Sequence, residues 1–177
     1  MSALLPPNKA DHMKAAFAKL SHTEARAVNV DAVSLLTNAS RFADIVPDDT
    51  TLILDATASL QVLAAASTSV LLTGNAGRLA RAALFGQGRC AVLMLEGLSR
   101  ASRVDDLACL LFEHCRAHGE VRVAIAGDSS EPTRIFVGDN CRSLTTPISD
   151  AVISRSAAPM AIQIERWLIT ELPSSAQ

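Results

Sequence analysis

Three carboxylates, Asp55, Glu96 and Asp128, each stand directly after an unbroken apolar run. If those runs are parallel strands, the acids project from one carboxyl-end edge of a sheet, where open α/β sheets hold their ligands. Like charges at close range repel unless a cation or a proton lies between them. Mg²⁺, which takes oxygen ligands and often bridges to phosphate, suits such a cluster. The plainer reading is that acids end strands and cap the helices that follow. The turn TGNAGR, residues 73–78, offers a second chemistry. Gly74, Asn75, Gly77 and Arg78 stand where a strand would pass into a helix, and backbone N–H groups and the helix dipole at such a turn attract anions. A Walker loop is excluded, because G-x-x-G is too short and the lysine and Ser/Thr are missing; G-x-G-x-x-G is not met either. An ordinary βα turn fits the same residues. His114 and His118, with Glu113 and Cys115 adjacent, have the spacing of a transition-metal chelate on a helix. There is no H-E-x-x-H, and histidines in the last turn of a helix are favoured by its dipole in any case. Asp128-Ser129-Ser130 lacks the G-x-S-x-G of a nucleophile elbow. Cys141, beside Arg142, has no identifiable histidine to activate it.

The elements that must position these residues centre on 88–128. Residues 90–95 are continuously apolar, the pattern of a strand covered on both faces. Ser102 and Asp105 have the spacing of a capping box. Behind them Val104, Leu107, Ala108, Leu111 and Cys115 recur at helical period. Gly119 is expected to close this helix in the left-handed conformation, and 121–126 to return as a strand. A crossover helix between two apolar strands implies that they run parallel.

Upstream, the spacing predicts a helix over 9–20 and a second helical segment over 23–45, broken near Asn38. Pro47-Asp48-Asp49 signals a turn and a boundary. Strands are expected at 51–54 and 69–73. The Ala-rich stretch 58–66 fits a short helix or an extended piece, and Leu79, Ala80, Ala83 and Leu84 fit a helix. Downstream, 134–137 reads as a short strand. Met160, Ile162 and Ile164 alternate with polar or small residues, the pattern of an edge strand.

A chain of 177 residues, 49% hydrophobic and 19% charged, can bury a core. A net charge of −2 gives no footprint for nucleic acid, and 3% aromatics with no tyrosine leaves little for base stacking. All three lysines, Lys9, Lys14 and Lys19, lie near the N-terminus. A phosphate-loop, Schiff-base or general-base lysine is therefore lacking in the body. Cys90, Cys109, Cys115 and Cys141 form no CxxC pair, and Cys90 and Cys109 sit in apolar runs where a free thiol behaves as a small hydrophobe. Neither a signal-peptide core nor a stretch of transmembrane length is present.

Residues 93–127, LMLEGLSRASRVDDLACLLFEHCRAHGEVRVAIAG, resemble the strand–helix–strand core of STAS domains, non-catalytic interaction modules. That resemblance puts Ser102 at the phosphorylatable position near the helix start, but it requires a helix where 134–137 reads as a strand. Residues 90–130, through VLMLEGL, Ala108-Cys109 and VAIAGDSS, are also similar to bromovirus coat proteins, which are all-β jelly rolls. That family carries a strongly basic N-terminal arm, which is missing here.

The expectations are therefore an α/β fold with a mixed, mainly parallel sheet over 47–177, preceded by a helical arm or cap over 1–46. The expected function is that of a non-catalytic, self-associating or partner-binding structural subunit, cytoplasmic and homo-oligomeric, without cofactor, membrane or nucleic acid. The alternative is a small Mg²⁺-dependent enzyme acting on an anionic, phosphate-bearing substrate at the Asp55, Glu96, Asp128 edge.

Overall fold

The computed structural model describes residues 8–20, 25–74, 77–97, 99–127 and 148–170. Among them the chain is 60% helical, with eight α-helices around a small mixed sheet of three strands. The all-β jelly roll implied by the coat-protein resemblance is thereby corrected.

Helix α1, Lys9–Leu20, is followed after residues 25–31 by α2, Ala32–Thr37, and α3, Ala39–Ile45. The expected break at Asn38 is present. Its backbone is extended (φ −119°, ψ 107°), and its side chain caps α3 by accepting from the Arg41 N–H at 3.1 Å. Asp31 caps α2 in the same way, accepting from the Ser34 N–H at 2.7 Å. Strand β1, Leu52–Asp55, leads through α4, Leu60–Thr68, and the short α5, Leu71–Gly74, into β2, Arg78–Phe85. A 3₁₀ turn over Gly86–Gly88 then returns the chain along β3, Cys90–Leu95. Strands β1 and β2 are parallel, with Asp55 beside Arg81; β2 and β3 are antiparallel, with Ala80 beside Leu95. After β3 come α6, Val104–Ala117, α7, Gly119–Ala126, and α8, Asp150–Ile169.

Helix α6 stands where its periodicity placed it, but its flanks differ from expectation. Residues 119–126 form α7, so the parallel strand pair expected across α6 does not exist, nor does the STAS-like core that depended on it. The crossover unit lies earlier, at β1–α4–α5–β2. Gly119 opens α7, while His118, in extended conformation (φ −126°), breaks the helical run. The left-handed glycine is Gly127 (φ 91°), after α7. The capping box is shifted by one residue, with the Asp106 carboxylate accepting from the Arg103 N–H at 3.0 Å.

Three more local readings are corrected. Residues 71–74 are helical, 78–85 form the central strand, and 160–164 lie within α8. Central position explains β2. An Ala- and Leu-rich segment prefers helix by intrinsic propensity, but here it hydrogen-bonds to strands on both sides and is buried along most of its length. Its two faces serve separate cores. Leu79, with Ile53, packs with Leu36, Val62, Leu72 and Val104 from the helices. Ala80 and Leu95, with Leu52 and Leu93, pack against Trp167 and Ile164 of α8. In α8 the inward positions are Val152, Ser156, Met160, Ile164 and Trp167, a helical stripe that takes Met160 and Ile164 from the expected alternation and leaves Ile162 exposed. The readings at 134–137 and at Asp128, Ser129, Ser130 and Cys141 lie outside the described residues.

Candidate functional site: the arginine–carboxylate network of the sheet

Asp55 ends β1 and is buried, as is its partner Arg81, which occupies the adjacent position in β2. Arg81 Nη1 donates to Asp55 Oδ2 at 2.6 Å. The other oxygen, Oδ1, accepts from the Thr57 N–H at 2.9 Å and from Thr57 Oγ1 at 2.7 Å. Both oxygens of this carboxylate therefore have donors. The pair holds the end of β1 against β2 and starts the turn toward α4.

Glu96 follows β3 and is fully buried, at 0% exposure. Its backbone N–H extends the ladder by donating to the Leu79 carbonyl at 2.9 Å. Its carboxylate accepts from Arg100 Nε at 2.5 Å and Nη2 at 3.2 Å, a fork-to-fork pair. Oε1 also accepts from the Val104 N–H at 3.0 Å, so a side chain from the sheet caps the first turn of α6. On the backbone side, the buried Arg78 guanidinium donates through Nε and Nη2 to the Glu96 carbonyl. Burial pushes the pKa of Arg78 down.

Arg100 reaches further. It donates to the carbonyls of Ala66 at 2.9 Å and Ser69 at 3.1 Å, while Arg103 donates to the Ser67 carbonyl at 2.7 Å. The C-terminal carbonyls of α4, which lack intrahelical partners, are thus gathered by two guanidinium groups. Arg100 holds a left-handed backbone (φ 50°). A conformation of that kind costs a non-glycine residue about 1–2 kcal/mol, and five side-chain hydrogen bonds hold it in place. Glu96 is the hub that ties β3, α4 and the start of α6 together.

The other sequence-predicted residues fall elsewhere. Gly74 ends α5 and Arg78 begins β2, so the motif follows a helix and leads into a strand, the reverse of the expected order. Gly77 is buried, and Asn75 is outside the described residues. His114 and His118 lie exposed at the end of α6 with ring centroids 4.1 Å apart. Among the described residues no group of three or more His, Cys, Asp or Glu gathers into a metal-binding cluster. Cys109, expected to be packed as a hydrophobe, is exposed, while Cys90 and Cys115 are partly and fully buried; all three are free thiols. Ser102 is half-buried before α6.

Sequence reasoning missed the arginines. Arg81 lies 26 residues from Asp55, and only the strand register brings the two together. Arg100 was within reach of inspection, four residues after Glu96, although the pair spans a turn rather than a helix. A cleft of about 410 Å³ beside α3, lined in part by Arg26, Asp31, Arg41 and Asp44, was also missed. Its charges balance, and Asp31 is engaged as a helix cap. Comparisons with protein-family profiles, curated proteins and solved structures found no match. No helix among the described residues is long and apolar enough to cross a membrane.

Proposed function

We propose that the protein is a non-catalytic structural subunit that works by associating with copies of itself. The observation that carries this reading is on α8, where Ile162 and Ile169, seven residues apart on the outward side, are exposed, Ile169 by 75%, with Leu168 exposed beside the end of the helix. Single exposed apolar residues are ordinary, but several along one helix are what an interface leaves open in a free chain. α8 already packs Trp167 and Ile164 inward, so these outward residues are additional to its role in the core. The state of the acids adds support. Both oxygens of Asp55 and of Glu96 accept hydrogen bonds, and each acid is paired with an arginine, so a Mg²⁺ enzyme using them would have to displace a guanidinium from each. The test is light scattering of the purified chain over a range of concentrations. A mass that is a multiple of the 18.7 kDa chain supports the reading. A monomer at every concentration contradicts it.

A further inference from the structure

Helix α1 presents a physical problem that its own chain does not solve. It has 12 residues, a length at which an isolated helix is marginal in water. Yet every residue from Asp11 to Lys19 is exposed, and none belongs to either core cluster. Met13 and Phe17, one turn apart, are half exposed, at 49% and 50%. An amphipathic helix of this kind is normally held by an apolar surface laid against that pair.

Charge indicates what that surface is. Residues 1–20 hold all three lysines against one aspartate, while the rest of the chain has 13 arginines against 17 carboxylates, a net charge of −4. The arm and the body therefore attract. On the body, the outward face of α6 combines acids with apolar side chains. Asp106, Leu110, Glu113 and Ala117 follow at steps of four, three and four, which puts them in one stripe. All four are exposed, Leu110 by 61%. The pair between Glu113 and Arg116, both well exposed, does not hold this face closed, since such pairs contribute little. The outer face of α8 is a poorer match for a lysine arm, because α8 carries Arg155 and Arg166 against Asp150 and Glu165 and has no acidic excess. Within one chain α1 and α6 leave each other's apolar residues exposed, so α1 does not lie on its own α6.

We infer that α1 docks on the α6 face of a second copy of this chain, with Met13 and Phe17 against Leu110 and the lysines beside Asp106 and Glu113. This rests on the self-association proposed above and assigns it a contact of its own, separate from the exposed residues of α8. A two-fold pair forms the contact twice. Forming it twice doubles the area that one small helix contact buries, which matters because stable interfaces begin at roughly 1,200 Å² in total.

The test uses the full chain as wild type, as Phe17→Asp and as Leu110→Asp, each alone and the two variants mixed, with mass read by light scattering. Both positions are exposed, so the body should keep its fold, which far-UV circular dichroism checks. The wild type is expected to be a dimer and each variant alone to have half its mass. The mixture should form more dimer than either variant alone but less than the wild type, because each mixed pair keeps one of the two contacts, the intact arm on the intact α6 face. As an independent check, Lys14→Glu should weaken the dimer about tenfold or more, and adding Glu113→Lys to the same chain should restore part of the loss. A dimer indifferent to both apolar substitutions, or broken by Phe17→Asp but not by Leu110→Asp, overturns the assignment and leaves self-association standing. A wild-type chain that stays monomeric removes both. A monomer that sediments with phosphatidylserine vesicles through α1 overturns the assignment in favour of an anionic membrane surface.

Discussion

Replacing Glu96 by alanine should be among the most destabilising single changes in the chain. The carboxylate has 0% exposure and accepts three hydrogen bonds, two from Arg100 and one from the Val104 N–H. Its loss leaves a largely buried guanidinium without a counter-charge, uncaps α6, and removes what holds the left-handed backbone at Arg100. Breaking one side of a buried ion pair costs about 3–5 kcal/mol. The carbonyls of Ala66 and Ser69 still accept from Arg100 and keep the figure from rising further. For a chain of this size, about 2–4 °C of melting temperature accompanies each kcal/mol, so Tm should fall by roughly 6–20 °C. Denaturant unfolding of Glu96→Ala and Arg100→Met, singly and together, supplies the assay. Removing both charges should cost less than the sum of the single changes, because the unpaired charge is what costs most. A Glu96→Ala protein within about 1 kcal/mol of wild type, or strictly additive effects, would refute the role of Glu96 as hub.

Asp55→Asn should destabilise by about 3 kcal/mol, since it leaves Arg81 buried without its charge partner; millimolar Mg²⁺ should leave the melting temperature of wild type and variant unchanged. Trp167, the single tryptophan and 6% exposed, should emit as a buried indole and shift to the red on unfolding, and Trp167→Ala should cost about 3–5 kcal/mol in denaturant unfolding. Gly86→Ala should be destabilising by more than about 1 kcal/mol, because φ is +55° and a Cβ would lie 2.2 Å from the Ala124 carbonyl oxygen. A Gly86→Ala protein with unchanged Tm would mean that the turn adopts another backbone.

The parts of the fold legible in the sequence are those whose local pattern and tertiary role agree. Residues 104–117 carry a clean helical stripe beneath which Val104 and Cys115 are buried, and 90–95 are apolar throughout, as a strand in contact with helices on its faces requires. Residues 78–85 were not legible because RLARAALF prefers helix locally, and only two neighbouring strands make it extended. GEVRVAIA, 119–126, fails in the opposite sense. Its β-branched residues suggest a strand, but the segment is a helix that packs against α6 and β2. In α8 the alternation of Met160, Ile162 and Ile164 was over-read, while the N-cap at Ser149 and the Met160, Ile164, Trp167 spacing were the better signal. Of the network, the acids could be picked out because each follows an apolar run. Their arginines could not, because which cation meets which acid depends on strand register and on a turn held at positive φ.

Hydrogen–deuterium exchange along α1, measured on dilute and concentrated samples, tests self-association most directly. Residues 11–19 are exposed in the single chain and belong to a helix too short to be stable alone, so their amides should exchange quickly when dilute and become protected as concentration rises, together with those of α6. Amides of α1 that exchange at the unprotected rate at every concentration, in a chain that never exceeds 18.7 kDa, would contradict it.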